Sequence, residues 1–392
     1  MRKISVTGII AEFNPLHKGH EYLITEARKK GKVICVISGN FVQRGDTAIA
    51  EKAVRTEAAL NCGADLVIEL PVLWSMSTAQ NFALGGVSAL GFAGCDNLIF
   101  GSECGDISRL TKTADILSSP LFPQILSKYT SNGITFAKAR ENAAIELGAD
   151  TDILKGANNN LAIEYILAAR SIGSKMNFST VKRIGAAHDS LEESEFVSAS
   201  LLRGKLLADD IRFAEKYIPE TVFPLFSQEK LSDIRRMDNA ILAVLRAKEK
   251  QEFCNLPDIS EGVENKLYNA VCTARNLTEL YETVKVKRYT MARIRRLVLS
   301  AFIGADNSFF MKPLPYLRIL GFNKLGEELL RNISKNCPVP VITRTSDFES
   351  LPENAKKVFY TECKATDLYA LSLKNPFPKG LEYTRKLIKK EF

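Results

Sequence analysis

The chain is short of histidine, with three in 392 residues, and it has a single tryptophan. It also lacks any apolar run long enough to cross a bilayer. The N-terminal segment shows no apolar signal region, since Lys29 and Lys30 follow a mixed helical stretch. Eight cysteines are present, but Cys35, Cys62, Cys95, Cys104, Cys254, Cys272, Cys337 and Cys363 never fall in C-x-x-C spacing. That scatter argues against a zinc site and against a disulfide framework, and it makes reduced thiols and a cytoplasmic location the expectation. Low-complexity tracts and internal repeats are missing too. The net charge of +8 permits an anionic partner without demanding one. What remains is ordinary for a folded enzyme or binding protein: 46% hydrophobic and 25% charged residues, in a chain long enough for two or three domains.

Two of the three histidines stand close together, in His17-Lys18-Gly19-His20. The β-branched run Ile4–Ile10 before them reads as a buried strand. Asn14-Pro15 ends it, because proline donates no ladder hydrogen bond and fixes its own φ. A helical pattern follows, Glu21 to Lys30. The first turn of such a helix offers free N–H groups and a positive dipole end, which suits phosphate. Gly19, without a Cβ, lets a ligand approach the backbone. Two histidines on a first helical turn could equally be surface residues. Their placement directly after a hydrophobic first strand favours a phosphate site, with His17 and His20 as the candidate catalytic pair.

Downstream, the hydrophobic runs 32–38, 65–70 and 97–100 alternate with helical stretches 48–62 and 78–91, implying βαβ units and a parallel sheet. In such sheets ligands lie beyond the carboxyl ends of the strands, so His17, Asn40, Glu69 and Gly101 are expected to converge on one crevice. The loop Gly39–Asp46 carries Arg44 and two glycines, and Lys52 and Arg55 are spaced for one helix face. Residues 107–147 read as two amphipathic helices broken at Pro120–Pro123. The stretch KGANNN (155–160) opens a helix, with Asn158 and Asn159 as caps that could also reach a ligand. A strand at 178–184 brings Arg183 to its end. SASLLR (198–203) places serines at a helix start and Arg203 one turn in, a pattern able to hold phosphate. The first domain is expected to span 1–205.

Beyond residue 206 helical patterns dominate, with long amphipathic helices expected at 227–250 and 260–283. Lys285-Val286-Lys287-Arg288-Tyr289-Thr290, followed by Arg293, Arg295 and Arg296, combines basic residues with a tyrosine. That is the footprint of a nucleic-acid surface, with Lys287, Arg288, Arg293 and Arg296 as candidates, or else simply a solvated helix face. PYLRILGF (315–322) and VPVITR (339–344) suggest a small C-terminal subdomain.

The H-x-G-H pattern resembles that of the nucleotidyltransferases, whose imidazoles hold the phosphates of ATP, and SASLLR resembles their second motif, I-S-S-T-x-x-R, without its threonine. GIIAEFNPLHKGH, SGNFVQRGD, VRTEAAL, DLVIELP, FGSE, ANNN and KRYT occur in order over most of the chain. Together they resemble the bacterial tRNA(Met) cytidine acetate ligases, apart from Ala157, which stands where a proline is expected. The resemblance implies an α/β fold: a Rossmann-like parallel-sheet nucleotidyltransferase domain, then a mostly helical tRNA-binding domain at 206–392. It implies that ATP, with Mg²⁺ on its phosphates and no dedicated metal motif in the protein, activates acetate as acetyl-adenylate. The acetyl group then passes to N4 of the wobble cytidine of elongator tRNA(Met). Carried over, the nucleotide site comprises Ile10, Ala11, Glu12, Phe13, Asn14, His17, Gly19, His20, Gly101, Asn158, Asn159 and Arg183, with Arg203 joining the histidines in catalysis. The rival readings are a small-molecule adenylyltransferase, which leaves the second domain without a task, and a non-catalytic RNA-binding protein, which leaves His17, Gly19 and His20 without one. No membrane partner is expected, and no general base can be named.

Overall fold

The structure, a computed structural model, describes residues 5–130, 134–183, 197–226, 230–260, 262–286 and 289–392. Ten strands are present among them: β1 (Val6–Ala11), β2 (Lys32–Ser38), β3 (Phe41–Val42), β4 (Asp46–Thr47), β5 (Leu66–Leu70), β6 (Asn97–Ser102), β7 (Asn177–Lys182), β8 (Leu317–Phe322), β9 (Val341–Ile342) and β10 (Ile388–Lys389). The main sheet runs β10-β8-β5-β2-β1-β6-β7, with β9 paired to β8; β3 and β4 form a separate hairpin. From β5 to β7 every pairing is parallel. The strands read as near-continuous hydrophobic runs because helices cover both faces. Ile34, Val36, Leu66 and Ile68 point into one core, and Val33, Cys35, Ile37 and Val67 into the other. β1 lies between β2 and β6, where the strand order reverses, so the loop after it opens into the crevice of the sheet.

The α/β class and the parallel sheet are as expected. The C-terminal half differs from the sequence reading, because its strand signals are main-sheet strands and not a subdomain. PYLRILGF forms β8, fully buried and antiparallel to β5. VPVITR supplies β9, parallel to β8. One core cluster joins Trp74 and Val87 to Leu267, Leu297 and Phe359, so the sheet and the core continue across residue 205. The long helices expected at 227–250 and 260–283 are broken into Asp238–Arg246, Val263–Thr273 and Leu277–Val284. Residues 107–147 hold three helices, not two, and the helix expected from Ala48 begins at Lys52.

The expected crevice loses two members. Asn40 is buried, accepting the Lys52 backbone N–H at 2.9 Å and donating to Thr366 at 3.1 Å. Glu69 is buried in a cluster of charges. Lys52 Nζ meets Glu69, Glu362 (3.1 Å) and Glu382 (2.7 Å), and Arg318 reaches Glu382 (2.5 Å) and Glu69 (3.5 Å). Three buried carboxylates therefore share Lys52 and Arg318, with Arg385 also 3.8 Å from Glu382. Burial, then the neighbouring Glu69, pushes the Glu362 carboxyl up to about 7, against the pull of Lys52. Arg55 is buried too. It donates to the carbonyls of Glu12 (2.8 Å), Ser38 (2.8 Å), Ala50 (2.9 Å) and Gly39, tying the loops after β1 and β2 together. Among the described residues, no helix is long and apolar enough to cross a membrane.

Candidate active site

The H-x-G-H stretch builds the start of the helix Lys18–Arg28. His17 is its N-cap, in extended conformation, and its Nδ1 accepts the Gly19 N–H at 3.1 Å. The His17 N–H in turn donates to His20 Nδ1 at 3.4 Å. Two imidazoles thus do the work usually done by a serine and a glutamate. With Nδ1 of His17 serving as acceptor, the proton of its neutral ring sits on Nε2, which becomes a donor. The rings stack with centroids 3.9 Å apart, and the edge of Phe13 meets His20 at 5.2 Å. Burial, helped by the Arg183 charge, lowers His17 to about 3. Burial, His17 and Arg183 hold His20 well below its ordinary value. Both rings are therefore neutral donors at pH 7. Phe13 adopts φ 48°, a left-handed conformation that costs an aromatic residue on the order of 1–3 kcal/mol and is found at sites where backbone must approach a ligand.

A cavity of about 480 Å³ opens at this point. It gathers twelve of the expected residues: Ile10, Ala11, Glu12, Phe13, Asn14, His17, Gly19, His20, Gly101, Asn158, Arg183 and Arg203. Arg203 donates to the Asn14 carbonyl at 2.8 Å, from a helix capped by Ser198. A Cβ on Gly101 would sit 3.4 Å from Arg183 Cγ, so the end of β6 carries the arginine's stem. Glu12 is half-buried; burial raises its carboxyl, opposed by the Gln43 N–H at 2.9 Å and the charges of Arg203, Arg55 and Arg44.

Asn159 is the exception. It is buried behind the wall, its Oδ1 accepting the N–H groups of Glu103 (3.0 Å) and Cys104 (3.2 Å). Neither asparagine is a cap. The helix Ala157–Ser171 starts after Gly156, and Glu103 covers its N-terminus by accepting from Asn158 N (3.0 Å) and Asn159 N (2.7 Å). Burial would raise Glu103, but these N–H groups win and lower it. Ala157 is the first helical residue, a position where proline costs nothing, which accounts for the exchange.

The basic candidates are distributed otherwise than expected. Lys287 and Arg288 lie outside the described residues. Arg293 donates to the Asp258 carbonyl (2.8 Å) and Ser260 Oγ (3.0 Å), and lies over the Tyr289 ring. Arg296 donates to the Gln43 carbonyl at 3.1 Å and pairs with Asp258 at 3.4 Å. Both are half-buried and bonded within the protein instead of standing free on a face. Arg295, between them, lines the cavity, as do Gln43, Arg44, Asp46, Lys182 and Ser200. Of these six, Ser200 was read only as part of the SASLLR helix start, and the other five were not assigned from the sequence. Arg44 and Arg295 had a signal, in the glycine-bounded loop and the basic run, but nothing there tells which arginine turns inward. Gly45 settles the packing of that loop: at φ 70°, its Cβ would lie 2.6 Å from both Arg295 Cβ and Arg296 N, so only glycine allows the β3–β4 turn against this helix. No group of three or more histidine, cysteine, aspartate or glutamate side chains among the described residues is placed to hold a metal ion.

The model of the HIGH Nucleotidyl Transferase family matches residues 4–383. The chain is 40% identical over 403 aligned positions to the tRNA(Met) cytidine acetate ligase of Thermoanaerobacter sp. (strain X514), covering 98% of this chain and all of that one. It is 34% identical to that of Clostridium perfringens (strain ATCC 13124), covering 96% and 97%. Its fold superposes on crystalline Thermotoga maritima TmcAL bound with alpha-thio ATP with a TM-score of 0.92, at 29% identity over 99% of this chain and all of that one. A strand-end cavity floored by H-x-G-H, in a chain alike from end to end to these proteins, places it: the chain belongs to the HIGH nucleotidyltransferases and, among them, to the tRNA(Met) cytidine acetate ligase family.

Proposed function

We propose that the protein is an ATP-dependent ligase that joins acetate to N4 of the wobble cytidine of elongator tRNA(Met), by way of acetyl-adenylate, in the cytoplasm. The observation that carries the reading is the pair of neutral, stacked imidazoles at a helix N-terminus, facing a cavity rimmed by Arg183, Arg203, Arg44 and Arg295. An acetate oxygen attacks the α-phosphorus and pyrophosphate leaves. The protein's part is to place the triphosphate and spread its developing charge. His17 donates from Nε2 to a phosphate oxygen, and the guanidinium groups fork onto the others. Bound Mg²⁺ would offset the charge of the phosphates; the carboxylates of the cavity are Glu12 and Asp46, too few for a dedicated cage, so ATP and water would supply most of its ligands. Nucleotide chemistry rests mainly on the segment before residue 205, with Arg295 added from the helix Met291–Ile303, and tRNA approaches from the side of that helix.

The test is acetate-dependent pyrophosphate release with and without tRNA(Met). The reading expects release that requires acetate, and acetyl groups recovered on cytidine. Release that is indifferent to acetate but needs another carboxylate or phosphate acceptor would replace the ligase with a small-molecule adenylyltransferase.

A further inference from the structure

A second cavity, of about 350 Å³, lies on the far side of the first cavity's wall. Three residues line both: Asp46, Arg203 and Arg295. The remaining surround is mixed: the aliphatic side chains of Ile49, Leu207 and Leu277 and the Tyr281 ring share it with polar residues, among them Asp233, Arg235 and Asp238. Arg295 lies over that ring at 5.7 Å. The Tyr281 hydroxyl is buried and has no hydrogen-bond partner among the described residues. A buried hydroxyl left unsatisfied costs about 1–3 kcal/mol and marks a place where a polar group is missing. A slot with an aromatic wall, an aliphatic side, many polar groups of both charges and an open donor suits a flipped nucleobase, whose faces stack and whose edge makes hydrogen bonds.

We infer that this second cavity receives the acceptor pyrimidine, and that Asp46, on the shared wall, takes the proton from its amine. This rests on the ligase reading above. The Watson–Crick edge of cytosine presents an amine donor at N4 and acceptors at N3 and O2. The wall offers a carboxylate acceptor, Asp46, beside two arginine donors, Arg203 and Arg295. Uracil, with O4 as acceptor and N3–H as donor, faces the wrong partner at both places. The position between the cavities is also where the chemistry must occur, since the adenylate is made on one side and the amine arrives from the other.

The step balances without any further reactant. The N4 lone pair forms the new bond to the acetyl carbonyl carbon. The bond from that carbon to the adenylyl oxygen breaks, and AMP leaves with the electron pair. The proton of the nitrogen goes to Asp46 Oδ2, because Oδ1 is taken by the Thr47 N–H at 2.8 Å. The groups facing Asp46 are Arg203, Arg295, Tyr281 and Asp233. Burial raises its carboxyl, opposed by the Thr47 N–H and the two arginines, with Asp233 adding a little to the rise.

Asp46→Asn in the full chain tests the assignment, because the two half-reactions can be timed separately. The expected result is a loss of about 10²–10⁴ in single-turnover acetyl transfer from preformed acetyl-adenylate to tRNA(Met). Acetate-dependent pyrophosphate release falls as well, since Asp46 also lines the first cavity, but by far less than transfer. The acidic limb of the wild-type transfer pH profile should vanish with it. Thr278→Trp, which fills the second cavity from an exposed helix position, should likewise depress transfer far more than release, and tRNA carrying uridine at the acceptor site should compete weakly with tRNA(Met). Equal loss of both half-reactions in Asp46→Asn, or a retained acidic limb, would overturn the base assignment. Undiminished transfer in Thr278→Trp would overturn the pocket. Absence of acetyl-adenylate in the wild type is a separate outcome; it would sink the ligase reading, and this inference with it.

Discussion

Glu362→Gln should flatten the dependence of stability on pH. Glu362 is fully buried, and its carboxyl accepts the Val72 N–H at 2.7 Å and Lys52 Nζ at 3.1 Å. Arg318 and Arg385 both reach Glu382, whereas Glu362 has only Lys52, which it shares with Glu69 and Glu382. The carboxyl rises from an ordinary 4.5 to about 7 because burial and Glu69 disfavour its ionised form. A native state that holds a proton more tightly than the unfolded chain is favoured when that proton is present. The contribution is therefore complete below pH 4.5, is lost as pH rises toward 7, and amounts to about 3 kcal/mol over that interval. Glutamine cannot ionise, so its variant lacks this slope, although a lost acceptor lowers its stability by about 1–3 kcal/mol throughout. Urea unfolding of both proteins at pH 5 and pH 8 measures the difference of differences, in which the titrating groups outside this cluster cancel. The wild type should lose about 3 kcal/mol more than the variant between the two pH values. Identical losses would show that Glu362 is ionised throughout and that Lys52, Arg318 and Arg385 together neutralise the cluster.

Two further outcomes bear on the site. His20→Ala should cost about 10²–10³ in acetyl-adenylate formation, and because both imidazoles are held neutral, kcat/KM for ATP in the wild type should show no histidine limb between pH 5.5 and 7.5; a limb near 6.5 would return the rings to an open, protonatable setting. Arg296→Met should raise KM for ATP through the loosened β3–β4 turn and leave the salt dependence of tRNA binding unchanged; a salt slope lower by about one unit would instead make Arg296 a phosphate contact.

Much of the lining of the first cavity could be read from the chain because its residues are close in sequence to strand ends. Ile10 to His20 form one continuous turn, and Gly101 and Arg183 each close a hydrophobic run. The errors share a cause. Asn159, Asn40 and Glu69 look like polar residues free for a ligand, yet each is occupied by a partner 12 to 326 positions away. Propensity and spacing report local structure, and no local pattern announces that a lysine will be buried among carboxylates from two distant helices. The same holds for Arg293 and Arg296, whose charges suggested a nucleic-acid face and whose hydrogen bonds turn inward. β8 reads as a strand from its composition, but that it would lie against β5 could not be known without the tertiary contact.

That strand has a consequence for how the chain matures. β5, LVIEL, is an aliphatic strand whose outer edge is covered by residues Leu317–Phe322, about 250 positions later. Until those residues arrive, the edge presents unpaired N–H and C=O groups on an apolar ribbon, a template on which another chain can add a strand. Closing a loop of that length is slow compared with forming the local βαβ units. A nascent or truncated chain that stops short of Leu317 would thus hold every residue of the H-x-G-H turn and still be a hazard for aggregation. During synthesis the vulnerable interval runs from the emergence of β5 to that of β8, and it is there that a chaperone has the most to protect.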